Sequence, residues 1–159
     1  RPDLLLIPNL PERGVRADLG WLAGAIPEEI FEVLQESNTD QPEAQAAFGI
    51  QARNLDRLNG EGMRIAFGTD GNIPWEAHVE MEDMVLAGMT PSQVLVAATR
   101  NSAEVLGLAD MGTIEAGKSA DFVVLEANPL DDITNTRRIR SVYLRGEEVN
   151  RAEIRSRWD

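Results

Sequence analysis

Apolar residues follow two rhythms along this chain. Short unbroken runs, Leu4-Leu5-Leu6-Ile7, Ile65-Ala66-Phe67 and Phe122-Val123-Val124-Leu125, are strand-sized and bounded by turn residues. They predict buried strands over Asp3–Ile7, over the stretch Met63–Gly71 and over Ala120–Leu125. Between them, apolar residues recur at helical spacing. Pro27-Glu28-Glu29 opens a first helix with Ile30, Phe31 and Leu34 as its apolar stripe. Proline suits a first helical turn and acids suit its positive end. Pro42-Glu43 opens a longer helix with Ala44, Phe48, Leu55 and Leu58 on one face, closed by Asn59-Gly60. A third helix is expected from Glu76 to Ala87, ended by Gly88. A fourth starts at Thr90-Pro91-Ser92-Gln93, a capping-box pattern, and packs through Val94, Leu95, Ala97 and Ala98. Asn101-Ser102 is expected to break it, with Ser102 capping a last turn through Leu106.

The rest reads as loops and a small β appendage. Pro8, Asn9 and Pro11 end the first strand. Pro11 to Ala25 holds Gly14, Gly20 and Gly24 around Trp21-Leu22 and predicts a long irregular excursion, either a binding loop or a plain surface loop. From Met111 turn residues become denser, and Val142 to Val149 predicts a β-hairpin around Arg145-Gly146. Arg151–Asp159 is a polar tail with room for one helical turn. The chain thus divides into residues 1–110, with strand–helix alternation, and residues 111–159. Such alternation implies parallel βα units. Two strands cannot complete a parallel sheet covered on both faces, so a larger protein or a partner chain is expected.

Composition narrows the classes of function. The 159 residues carry a net charge of −12, which gives no electrostatic footprint for nucleic acid or an anionic membrane. There is no cysteine, hence no disulfide framework and no thiolate chemistry. No apolar run approaches the roughly 20 residues that span a bilayer. A soluble protein is expected, with the compartment open between cytoplasm and periplasm. The chain starts at Arg1 without an initiator methionine or signal peptide, which reads as a cut through a longer protein. One histidine means that a metal site built mainly of imidazoles cannot come from these residues alone.

The candidate chemistry gathers at Met63-Arg64-Ile65-Ala66-Phe67-Gly68-Thr69-Asp70-Gly71. Asp70 follows a buried strand, where a desolvated carboxylate needs a partner. It is either a structural Asp that caps the next turn or a catalytic or metal-binding Asp. Function collects at strand carboxyl ends in α/β folds. His78 and Glu82 lie four apart and share a helix face, either as a metal-binding or imidazole-orienting pair or as a solvated pair. Glu80 and Asp83 are expected as surface charge. The Gly68-to-Gly71 stretch lacks Rossmann spacing and a phosphate-loop lysine, and no nucleophile elbow is present.

An ordered series of motifs then carries a resemblance. Phe67-Gly68-Thr69-Asp70-Gly71 is followed by Ala87-Gly88-Met89-Thr90-Pro91 and by Ala98-Thr99-Arg100-Asn101-Ser102-Ala103-Glu104. Next come Gly112 to Leu125 with Gly117-Lys118-Ser119-Ala120-Asp121, then Asn128-Pro129-Leu130 and Val142 to Gly146. This resembles the C-terminal part of the metal-dependent amidohydrolase superfamily, in its imidazolonepropionase-like and prolidase-like branch. The resemblance implies an α/β chain forming the last part of a distorted (β/α)8 TIM-like barrel, plus part of a small composite β-sandwich. Asp3–Ile7 would be the seventh barrel strand and Arg64–Thr69 the eighth. Ala120–Leu125 and Val142–Val149 would belong to the sandwich. Asp70 would be both metal ligand and catalytic residue, binding a divalent cation, usually Zn2+, and taking a proton from the attacking water. The implied activity is hydrolysis of carbon–nitrogen bonds in amide, dipeptide or cyclic amide substrates. Asn9, Trp21, Trp75 and His78 are candidates for the pocket wall, with His78 alternatively supporting Asp70. The family's His-x-His pair, lysine and two later histidines belong to strands not in this sequence. This chain alone is therefore expected to be inactive, with the N-terminal barrel half supplied by the same or another chain, and with homo-oligomerisation open. The competing reading is a non-catalytic assembly or regulatory module, or a truncated fragment.

Overall fold

The computed structural model of the chain describes residues 4–71, 73 and 75–157. Its elements run β1 (Leu5–Leu6), α1 (Glu28–Ser37), α2 (Pro42–Gly60), β2 (Arg64–Ile65), α3 (Glu76–Leu86), α4 (Pro91–Val96), α5 (Ser102–Val105), β3 (Phe122–Leu125), β4 (Ile139–Leu144), β5 (Glu147–Glu148) and α6 (Arg151–Arg155). Short 3-10 turns cover Gly20–Leu22 and Ile133–Arg137, and a π-helical segment covers Ala97–Asn101. The α/β character expected from the sequence is present. Among the described residues no helix is long and apolar enough to cross a membrane.

β1 and β2 pair in parallel, with Leu5 opposite Arg64 and Leu6 opposite Ile65. Both strands are shorter than expected, because regular pairing stops after two residues in each. Asp3, the expected start of β1, lies outside the described residues. Beyond Ile65 the chain stays tied to β1 through the Ala66 N–H, which donates to the Leu6 carbonyl at 2.8 Å. The core collects around this pair. Leu55 of α2, Ile65, Met84 of α3, Met89, Val94 of α4, Ala97 and Ile133 form one buried cluster. In α2, Ala44, Phe48, Ala52, Leu55 and Leu58 all turn inward, as the spacing requires. Gly88 closes α3 at φ 104, where a Cβ would meet the Asp56 carboxylate at 2.4 Å, so only glycine lets α2 and α3 approach there. In α1 the stripe is narrower than expected. Phe31 is buried and Leu34 half-buried, but Ile30 is 48% exposed, because its position turns it off the inward face.

Two further expectations are corrected. Thr90 and Gln93 do form the reciprocal capping box. Asn101-Ser102 does not break the following helix, however, and Ser102 makes no side-chain cap. The chain runs from α4 through the π segment into α5. Ile133 and Thr136, for which no element was expected, are buried on a 3-10 turn that packs against α3. The later part of the chain thereby joins the main core.

The C-terminal sheet is antiparallel in the order β3-β4-β5. Its hairpin turns at Arg145-Gly146, with Arg145 at φ 54, the left-handed geometry of a two-residue turn. Phe122 and Tyr143 stack across β3 and β4 with ring centres 4.6 Å apart. Phe122 and Val123 remain 36% and 49% exposed, so among the described residues no layer covers that part of the sheet. α6 is the expected turn of the tail, capped by the Asn150 side chain, which accepts from the Glu153 N–H at 3.1 Å.

Candidate active site

The two parallel strands lead into Asn9 at φ 40 and Asp70 at φ 53, both non-glycine residues in left-handed backbone. Such conformations cost on the order of 1 kcal/mol and persist where surrounding structure enforces them. The enforcement is visible at Gly68. A Cβ there would lie 2.7 Å from Ile7 Cγ2 and 2.8 Å from Asn9 Oδ1. The strand end after β1 thus packs directly on the strand end before Asp70. Asp70 itself is exposed and opens onto a cleft of about 630 Å³, shared with Asn9, Trp21, Trp75, Glu76 and Glu80.

One wall of the cleft is the loop from Asn9 to Leu22. It has little regular structure, and charged side chains bind it to α3. The Leu10 N–H donates to both Glu80 carboxylate oxygens at 3.1 Å. Arg13 reaches Asp83, with Nε 2.6 Å from Oδ1, and Glu82, with Nη2 3.4 Å from Oε2. Glu82 also pairs with Arg137 of the second 3-10 turn. The Arg137 guanidinium lies over the Trp21 ring, 4.2 Å from its centre, a cation–π contact that clamps the loop from the other side. Leu22 beside Trp21 is 2% exposed and anchors the loop in apolar surroundings.

Glu80 and Asp83 are therefore not surface charge. They are 5% and 3% exposed, because α3 turns them inward with Met84 and Ala87. Burial pushes the Glu80 carboxyl up to about 7 against the pull of the Leu10 N–H. Burial likewise pushes Asp83 up to about 7, with Arg13 pulling the other way. Helical spacing carried this signal, since positions 80, 83, 84 and 87 share one stripe.

His78 and Glu82 do not form the expected pair. Glu82 is occupied by the two arginines, and His78 Nδ1 sits 3.1 Å from Thr136 Oγ1. The imidazole meets Trp21 edge-on at 5.8 Å and does not line the cleft. Burial, then Arg137, holds its pKa below the usual histidine value, which favours the neutral ring. Of the candidate wall residues, Asn9, Trp21 and Trp75 border the cleft with Asp70, and His78 stands behind Trp21.

The metal implied by the resemblance can be tested against the donors present. Among the described residues no three His, Cys, Asp or Glu side chains come together to hold a metal ion. Glu80, Glu82 and Asp83 are engaged by a backbone N–H and by arginines. The residues of this chain thus do not by themselves fit a metal centre. Asp70 is the strand-end carboxylate that they offer.

The family model described as the amidohydrolase family matches residues 10–149. An imidazolonepropionase of Deinococcus deserti is 36% identical over 110 residues, which cover 64% of this chain and 27% of that protein. A 5-methylthioadenosine/S-adenosylhomocysteine deaminase of Halalkalibacterium halodurans is 28% identical over 138 residues, covering 74% of this chain and 31% of that protein. Among solved structures, a protein of Bifidobacterium longum assigned as a prolidase superposes with a TM-score of 0.67 at 30% identity, over 96% of this chain and 38% of that one. The chain spans well under half the length of these relatives. A family match over most of the sequence, with the downstream motifs in order, leads to one conclusion: this chain belongs to the amidohydrolase family.

Proposed function

We propose that this chain supplies the last-strand carboxylate of a hydrolase acting on carbon–nitrogen bonds in amides, dipeptides or cyclic amides. The observation that carries the reading is Asp70, held in a left-handed conformation at the end of the β2 stretch and open to the cleft. In the proposed assembly β1 and β2 are the seventh and eighth strands of a barrel, residues 1–110 its last units, and residues 111–159 a share of a β-sandwich. The remaining strands come from residues outside this sequence, on the same or another chain. The cofactor proposed for the whole enzyme is a divalent metal, Zn2+ in the first instance, whose donors besides Asp70 also lie outside.

Within that assembly the Asp70 carboxylate accepts a proton from the attacking water and returns it to the leaving nitrogen. Asn9, Trp21 and Trp75 form part of the substrate wall. The acid-rich α3 serves that wall by fixing the loop through Glu80, Glu82 and Asp83.

The test uses the full-length protein that contains this sequence, assayed on methionyl-proline as a dipeptide and on 4-imidazolone-5-propanoate as a cyclic amide. Asp70→Asn is expected to lower kcat by roughly 100-fold or more while the melting temperature holds, because Asp70 is exposed. An Asp70→Asn protein with wild-type turnover would falsify the reading.

A further inference from the structure

The outer edge of β2 is bound by a helix, and its ties lead toward Asp70. On its inner side β2 pairs with β1, and Ala66 continues that contact to Leu6. On the other side its backbone meets side chains of the π segment and α5. Asn101 Nδ2 donates to the Ile65 carbonyl at 2.6 Å. The Phe67 N–H donates to Ser102 Oγ at 3.1 Å, and that hydroxyl donates onward to the Ala97 carbonyl at 2.7 Å. Arg64 pairs with Glu104 one turn further on. A strand edge is normally satisfied by another strand. Here one helical turn satisfies it at the Ile65 carbonyl and the Phe67 N–H.

The π segment makes this possible. One extra residue in a helical turn rotates the residues after it by roughly 100°. Ser102 Oγ reaches the carbonyl five residues back, the π spacing. Asn101 and Ser102 are half-buried and turn toward β2. Past Phe67 the chain has little freedom: Gly68 is pressed against Ile7 and Asn9, and Asp70 follows two residues later.

We infer that Asn101 and Ser102 are positioning residues for Asp70: they clamp the backbone at Ile65 and Phe67, and that clamp sets where the carboxylate stands in the cleft. The inference rests on the proposed role of Asp70 as the last-strand carboxylate. Neither side chain touches the cleft, so each acts through the strand.

The experiment uses the full-length protein, methionyl-proline and 4-imidazolone-5-propanoate as substrates, and hydrogen-exchange mass spectrometry over residues 66–71. Ser102→Ala removes the acceptor of the Phe67 N–H, and exchange there is expected to quicken about tenfold. The same variant is expected to lose roughly 10–100-fold in kcat with KM little changed, since a misplaced catalytic group costs turnover and not affinity. Asn101→Asp, which puts a carboxylate against the Ile65 carbonyl, is expected to act alike. Ser102→Thr keeps the hydroxyl and is expected to restore both readouts. Unchanged exchange in both Ser102→Ala and Asn101→Asp overturns the inference. So does quickened exchange with wild-type kcat in a protein that Asp70→Asn inactivates, and there the reading of Asp70 stands. If neither Ser102→Ala nor Asn101→Asp folds, the pair is scaffold and the positioning role is overturned. A wild-type protein inert on both substrates, or an Asp70→Asn protein that matches it, overturns the reading of Asp70 itself and the positioning role with it.

Discussion

The strand end that carries Asp70 and the loop that walls the same cleft sit a few residues apart in space but are held by different physics. At the strand end, β2 is fixed by neutral backbone and amide or hydroxyl hydrogen bonds over an apolar core of Leu55, Ile65, Met84 and Val94. Its ion pair of Arg64 with Glu104 is about half exposed on both sides. The loop from Asn9 to Leu22 is tied at Gly14, Arg16 and Ala17 to residues 38–45 by hydrogen bonds, but its face toward α3 is held by Glu80, Glu82, Asp83, Arg13 and Arg137, all largely removed from water. The difference predicts that the carboxylate's place is insensitive to pH and salt, and that the wall opposite is not.

The largest expected effect breaks the wall. Glu82→Ala leaves Arg137 without its carboxylate and weakens the hold on Arg13. Removing one partner from a buried charge cluster should destabilise the protein by about 3–5 kcal/mol, read from urea unfolding. Met84→Ala tests the other side. Met84 is 0% exposed, and its truncation should cost about 2–4 kcal/mol by the same amount at pH 5 and pH 8. A cost that changed with pH would erase the contrast between wall and strand end.

Glu80→Gln sharpens the comparison through pH. Burial raises the Glu80 carboxyl from its ordinary 4.5 to about 7, so the folded protein holds this proton more tightly than the unfolded chain does. The group's stabilising contribution is full below the unfolded value and is lost as pH rises through 7. Glutamine mimics the protonated form and still accepts from the Leu10 N–H. Glu80→Gln should therefore match wild type at pH 4 and exceed it by about 1–3 kcal/mol at pH 8. Equal stability of the two proteins at every pH contradicts a raised Glu80. Arg64→Ala should change stability by no more than about 1 kcal/mol, and less in high salt, as exposed pairs do.

These differences also mark what the sequence could tell. The strand before Asp70, the long helix α2 and the hairpin at Arg145 were legible because each has a period or turn chemistry of its own. The inward acids were misread although the helical stripe contained them. Charge suggested solvent, and the partners that neutralise it, Arg13 and Arg137, lie about 70 and 55 positions from Glu82. No local pattern links residues so far apart. The π segment was hidden for a related reason. Asn101-Ser102 reads locally as a helix breaker, and only contact with β2 gives those side chains partners that keep the helix running.

The most direct measurement of the central claim is a metal analysis and turnover assay of the 159-residue chain itself, after equilibration with Zn2+ and dialysis. With Asp70 as one donor of a centre completed by residues outside this sequence, we expect far less than one zinc per chain and no hydrolysis of methionyl-proline or 4-imidazolone-5-propanoate. Stoichiometric zinc with turnover by this chain alone would contradict it.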